Sequence, residues 1–233
     1  MAPPSRRLFL LLLGSLALVG CQFAPPSADE SASSAVQWQR WEGVLTAQRP
    51  PAQPYAGLSI DVRFTGPGDA AFQVPAFWDG ERGFRFRAAF PTPGLWRWAT
   101  TSSDVTDTGL HGRTGAVRVA AYTGENALYR HGDLRVSDDR RHLAHADGTP
   151  FLWIGDTGWN ATWKGTAADW QHYVDIRAQQ RFSVLQVVVT GVQPRHSTPQ
   201  PASGHAPFLA DRSPNPLFWR DLEDKIAAAN DRG

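Results

Sequence analysis

The sequence predicts a small β-sandwich joined to the opening of a βα-repeat domain. Three observations carry that expectation. Between Val36 and Tyr122 the apolar residues alternate with polar ones in short runs separated by turn signals. At Thr166 the period changes from two residues to that of a helix. The run "FSVLQVVVT" is then continuously apolar, the pattern of a strand covered on both faces in a parallel sheet.

Within the first region, "LSIDVRFTG" sets Leu58, Ile60, Val62 and Phe64 against Ser59, Asp61 and Arg63. "GFRFRAAF" sets Phe84, Phe86 and Ala88 against Arg85 and Arg87. "PTPGLWRWATTSS" opens on a Pro-Gly turn and directs Trp96 and Trp98 to one side, and "TGAVRVAAY" adds a strand through Val117 and Val119. Between them "TTSSDVTDTGLHGRTG" is dense in Thr, Ser, Asp and Gly and is expected as a hairpin loop.

Beyond Asn126, "LRVSDDRRHLAHADGTPFLWIGDTGWN" reads as a short hairpin turning at Asp147-Gly148, followed by an apolar strand from Phe151 to Gly155. Thr166 can cap the next helix, with Asp169 three residues on as in a capping box, and Trp170, Tyr173, Val174 and Ala178 share a face. After the strand and a Pro-, His- and Ser-rich loop to Ser213, a second helix starts with Asn215 as N-cap and Pro216 at its first position. Its expected core face is Phe218, Leu222, Ile226 and Ala229.

The N-terminus carries a targeting signal. Arg6 and Arg7 precede an apolar run from Leu8 to Val19, which suits secretion and is too short to cross a bilayer as a helix. "LVGC" ends it as in a lipobox, so cleavage before Cys21 and acylation of its thiol are expected, with residues 1–20 as signal peptide. Acyl chains anchor a protein because each buried methylene contributes about 0.8 kcal/mol. Gln22, rather than Asp, follows the cysteine and favours the outer membrane of the bacterial envelope. Residues 21–35 read as a flexible tether.

Composition excludes several functions. The net charge is +1 and the arginines are scattered, so no field for nucleic acid builds up. Cys21 is the only cysteine, which removes intrachain disulfides, thiolate metal sites and a cysteine nucleophile. His142 and His145 lie three apart on an expected strand, facing opposite ways, which is poor geometry for a metal. No phosphate-binding glycine loop is present, so no cofactor is expected.

"NALYRHGDLRVSDDRRHLAHADGTPFLWIGDTGWN", "FSVLQVVV" and "NPLFWRDLEDKIAAANDRG" together resemble the start of the apiosidase-like glycoside hydrolases, and "VPAFWDG" with "PGLWRWATTSS" resembles the immunoglobulin-like domain that commonly precedes them. The resemblance implies an all-β immunoglobulin-like sandwich over residues 36–122 and the first two β/α units of a TIM barrel over residues 126–233. Such a barrel takes about 250 residues, more than twice what this segment supplies. The carboxylate pair of a glycosidase is therefore expected in barrel strands this chain lacks, no catalytic residue is assigned, and the chain alone is expected to be inactive. The implied partner is an oligo- or polysaccharide of plant-type side chains. The alternative is a non-catalytic surface lipoprotein whose β-sandwich binds carbohydrate or another partner.

Asp-Thr-Gly occurs twice, at Asp107 and Asp156, as an aspartic protease would require of its two carboxylates. The first lies in loop chemistry, and the second continues with bulky Trp159, so the protease reading is set aside. The resemblance places Asp156 at the end of the first barrel strand, where side chains reach the active-site mouth, and makes Asp156 and Trp159 candidate substrate-binding residues. Two other roles stay open: Asp156 can cap a turn or pair with a neighbour, and Trp159 can pack the loop.

Overall fold

The computed structural model describes residues 32–190 and 200–233. Cys21, the signal segment and most of the expected tether lie outside the described residues. The tether ends earlier than expected, because Ser33–Ala35 already belong to a strand.

The first half contains β1 (Ser33–Val36), β2 (Trp41–Thr46), β3 (Ile60–Thr65), β4 (Ala71–Gly80), β5 (Gly83–Ala88), β6 (Gly94–Ser102) and β7 (Thr114–Ala120). Alternation is obeyed where it was legible: Ile60, Val62, Phe64, Phe84, Phe86 and Ala88 are buried, and the residues between them in β3 are exposed. Phe64, Phe86, Phe90 and Trp96 are fully enclosed. Trp41 meets Phe64, Phe86 and Phe90 with ring centroids 5.6–6.1 Å apart. Burial of aromatics on this scale dominates the energetics of a core.

The immunoglobulin-like sandwich is not what forms. All seven strands belong to one sheet, in the order β1-β7-β6-β3-β4-β5-β2, and it curls round the core as a nearly closed, mixed barrel-like surface. The cause lies in β4. Its first five residues pair with β3, and its second half pairs with β5, so one ten-residue strand carries the ladder round what would otherwise be a gap between two sheets. A bulge between Trp78 and Gly80 leaves Asp79 without a partner across the β4–β5 ladder and supplies the bend. Alternation reports one buried face per strand, a property that a sandwich and a curled sheet share. β1 joins in parallel, Ser33–Val36 against Val117–Ala120.

The second half contains α1 (Ala127–His131), β8 (Leu134–Val136), β9 (Leu143–His145), β10 (Pro150–Phe151), β11 (Gly155–Gly158), α2 (Ala161–Lys164), α3 (Ala167–Gln179), β12 (Val184–Val187) and α4 (Pro216–Asn230). The hairpin turns at Gly148 as expected, with φ 91°. Among the described residues the expected run of barrel units does not appear. β11 and β12 form an isolated two-stranded parallel sheet, and β8–β10 form a separate antiparallel one. The strand expected at Phe151–Gly155 is broken, with Leu152, Trp153 and Ile154 exposed between β10 and β11. Only Val184–Val187 of the long apolar run is paired. Hydrophobicity marked these runs, but a strand extends only as far as a neighbouring backbone supplies partners.

The helix starts follow the sequence closely. Thr166 and Asp169 form a reciprocal capping box, and the Asn215 side chain accepts from the Leu217 N–H. The face of α4 is rotated from the expected one: Phe218, Leu222, Lys225 and Ala228 are buried, and Ile226 is exposed. Buried Lys225 donates to the Thr162 carbonyl (3.0 Å) and the Asp221 carboxylate (2.9 Å), and its own carbonyl accepts from the Trp170 indole (2.7 Å). One residue so ties α2, α3 and α4 together.

The sheet meets α4 through ion pairs. Glu42 of β2 accepts from Arg85 (2.5 Å) and Arg87 (2.8 Å) of β5. Arg85 also reaches Asp79 (2.5 Å), which accepts from Arg220 of α4 (3.0 Å), and Arg87 reaches Glu223 of α4 (2.6 Å). Burial opposes ionisation of Glu42, but the hydrogen bonds from Arg87 and Arg85 outweigh it and hold its pKa below the usual value.

The first Asp-Thr-Gly is structural. Buried Asp107 accepts from the backbone N–H groups of Gln48 (3.0 Å) and Gly109 (2.9 Å), pinning the β6–β7 loop to the chain after β2. A Cβ at Gly109 would lie 2.1 Å from the Thr46 carbonyl oxygen. Asp107→Ala is expected to cost about 1–3 kcal/mol by orphaning those donors, and Gly109→Ala to lower the melting temperature as well. Thermal unfolding of both variants, with an unshifted melting temperature as the contrary result, checks this.

Candidate functional site

The capping box fixes where α3 begins, and the helical repeat then puts Tyr173 and Arg177, four apart, on one face. β11 lies beside that face, held by its parallel pairing to β12, in which Asp156 stands opposite Leu185. The Asp156 carboxylate accepts from the Tyr173 hydroxyl (2.7 Å), from Arg177 Nε (2.5 Å) and from the Thr157 N–H (2.8 Å). The Arg177 guanidinium also lies over the rings of Tyr173 and Phe182, 5.2 Å from each centroid.

These contacts set the electrostatics. The hydrogen bond from Arg177, then that from Tyr173, holds the Asp156 carboxyl below its ordinary range. Burial, reinforced by the hydrogen bond to Asp156, pushes the Tyr173 hydroxyl up to about 12. The group is an anion clamped by a permanent cation and a neutral phenol, so Asp156 orients its surroundings and does not donate protons at neutral pH.

Two expectations are thereby corrected. Asp156 is the second residue of a four-residue strand rather than the last of a longer one, and its side chain turns toward α3 rather than into an open mouth. Successive strand side chains point to opposite faces, so Thr157 and the Gln186 paired with it lie on the other side, where both are exposed. Trp159 follows in the turn before α2 and is 62% exposed, with no ring or hydrogen-bond partner among the described residues. The structure thus gives Asp156 neighbours to pair with and leaves the Trp159 ring largely exposed among the described residues. Tyr173 appeared in the sequence only as a core-face residue and Arg177 not at all. Their four-residue spacing on a helix after an acidic strand end was the available signal.

Of the two histidines only His145 lies in β9, and His142 precedes it. His145 is buried with Nδ1 2.9 Å from the Gly132 carbonyl, and His142 is largely exposed. Among the described residues no group of three His, Cys, Asp or Glu side chains could hold a metal ion. A glycosidase acid needs a raised pKa. The described carboxylates displaced from their ordinary values, Asp156 among them, all move down.

Comparison with known proteins finds a glycoside hydrolase-like resemblance over part of the chain. Residues 137–233, which contain β11, α3 and the Asp156 cluster, match the model described as "Apiosidase-like, catalytic domain", and residues 34–103 match a domain of unknown function, DUF5060. A crystal structure of a "putative glycoside hydrolase" from Bacteroides vulgatus ATCC 8482 shares the fold, with TM-score 0.68 over 86% of this chain at 21% identity. This chain spans 40% of that protein's length. A glycoside hydrolase family 5 protein from the same organism aligns over 45% of this chain and 24% of its own, at 24% identity and TM-score 0.39. No curated protein matches the chain.

Asp156→Asn is expected to bring the Tyr173 pKa down from about 12 toward, but not to, the ordinary value near 10, because burial persists. The sign of the stability effect follows: the contribution of Tyr173 is complete below pH 10 and lost as pH rises toward 12. That of Asp156, whose pKa is depressed, is present above its ordinary value and lost as pH falls through the folded one. Alkaline difference absorbance of wild type and variant measures the first shift, and identical curves would show that burial alone sets it.

Proposed function

We propose that the chain is a carbohydrate-directed part of an apiosidase-like glycoside hydrolase, held at the bacterial cell envelope by acylated Cys21 and directed to plant-type polysaccharide side chains. The observation that carries the reading is the coincidence of the apiosidase-like match, residues 137–233, with a β-strand followed at once by Trp159, whose ring is 62% exposed. An exposed indole offers a flat apolar face with a polar N–H, which suits a sugar ring bearing C–H groups on one face and hydroxyls at its rim. Asp156 supports that turn through Tyr173 and Arg177 and positions it for substrate.

Hydrolysis is assigned to carboxylates on parts of the architecture that this chain does not span. The alternative, a surface lipoprotein that binds sugar without cleaving it, is favoured by one observation: Asp156 accepts from Tyr173, Arg177 and the Thr157 N–H and is held ionised, unlike a glycosidase acid.

The full chain is expected to bind rhamnogalacturonan-type oligosaccharides without turnover, and Trp159→Ala to weaken binding about fivefold while leaving the melting temperature unchanged. Absence of binding by calorimetry would end the reading. Turnover lost on Asp156→Asn would instead give the chemistry to Asp156. Labelled palmitate is expected to enter the wild type and not Cys21→Ala, and equal labelling would remove the anchor.

A further inference from the structure

We propose a second carbohydrate site, for a neutral sugar, in the cleft between the curled sheet and α4. The proposal rests on the carbohydrate-directed reading above and gives it a substrate class. The cleft has a volume of about 380 Å³, within the range of small-ligand sites. Tyr55 and Trp78 form one wall, their ring centroids 6.4 Å apart, and Trp219 of α4 stands among the lining residues from the helix side. Tyr55 is half exposed, and no hydrogen bond is made by its hydroxyl among the described residues. The Trp219 and Trp78 indoles are held in place by donating to the Pro207 carbonyl (3.2 Å) and the Glu81 carbonyl (3.0 Å).

The polar part of the lining selects the ligand. Asp79 with Arg220, and Glu223 with Arg87, present two anions and two cations that already balance one another. Behind them Glu42 and Arg85 add one charge of each sign. A uronate or phosphate brought here would leave an uncompensated negative charge in a partly desolvated site, which is costly. A hydroxyl group donates to a carboxylate and accepts from a guanidinium without upsetting that balance. Flat aromatic walls beside a charge-neutral set of donors and acceptors therefore fit an uncharged polyhydroxylated ring. The Trp159 turn has no comparable set of ion pairs among its described contacts.

The indole N–H resonances of the full chain can be followed by NMR during titration with xylohexaose and with hexagalacturonate. Xylohexaose is expected to shift the Trp78 and Trp219 signals, and hexagalacturonate to leave them in place. Tyr55→Ala, an exposed position whose loss spares the core, is expected to weaken xylohexaose binding about tenfold. Tyr55→Phe and Trp159→Ala should retain it. Binding unchanged in Tyr55→Ala, or a preference for hexagalacturonate, overturns the assignment. Loss on Trp159→Ala alone, or no shift of the Trp78 and Trp219 signals with xylohexaose, overturns the cleft and leaves the carbohydrate-directed reading standing, which falls only if rhamnogalacturonan-type oligosaccharides also fail to bind.

Discussion

The junction between the curled sheet and α4 depends on a single chain of charges. Glu42, Arg85, Asp79 and Arg220 run in sequence from β2 through β5 and β4 to the helix, and Arg87 branches from Glu42 to Glu223. Each member neutralises its neighbours, so a half-buried set of six charges adds no net charge to the interface. An isolated exposed pair contributes little, but here Glu42, Arg85, Asp79 and Arg87 are each held by two others, with Arg220 and Glu223 as the ends, and the ordering cost of a further bond falls accordingly. The network also defines geometry: α4 can approach the sheet only where Arg220 and Glu223 meet their partners. The cleft beside Tyr55 and Trp78 exists because the helix stops at that distance.

The sequence announced β3, β5, β6 and β7 through alternation, and α3 and α4 through Thr166, Asp169, Asn215 and Pro216. These signals are local, since a cap or a pleat is decided within a few residues. What stayed hidden is decided between distant residues. Arg85 and Arg87 read as a solvent face, and nothing near them in sequence shows that Glu42 and Glu223 complete it. The continuous curvature of the sheet likewise depends on which neighbours the two halves of β4 choose. Lys225 was hidden for another reason: a lysine on an apolar helix face is ordinarily solvent-bound, and only the carbonyl of Thr162 and the carboxylate of Asp221 make its burial tolerable.

The candidate site was legible as to position and not as to orientation. "GDTGWN" marked a strand end with an acid and an aromatic; the aromatic follows the strand, whereas the acid lies inside it. Which way Asp156 points depends on strand parity. Because Leu185 and Val187 of β12 belong to the cluster of Trp170 and Val174 under α3, the residue paired with Leu185 must share that side. Parity therefore sends the carboxylate to Tyr173 and Arg177, and sends Thr157 to the opposite surface. The acid is part of the scaffold that holds the turn, and the aromatic is what the turn presents.

The bulge in β4 has a bearing on how this protein can change. Asp79 can serve Arg85 and Arg220 together because it sits in the extra position between Trp78 and Gly80, outside the regular ladder. Loss of one residue there would restore the pleat and carry the carboxylate to the wrong side, whatever side chains were kept. Gain of one would move Trp78 instead. In the β4–β5 hairpin it is spacing, more than residue identity, that drift can least disturb: homologues could exchange side chains there while insertions and deletions are excluded.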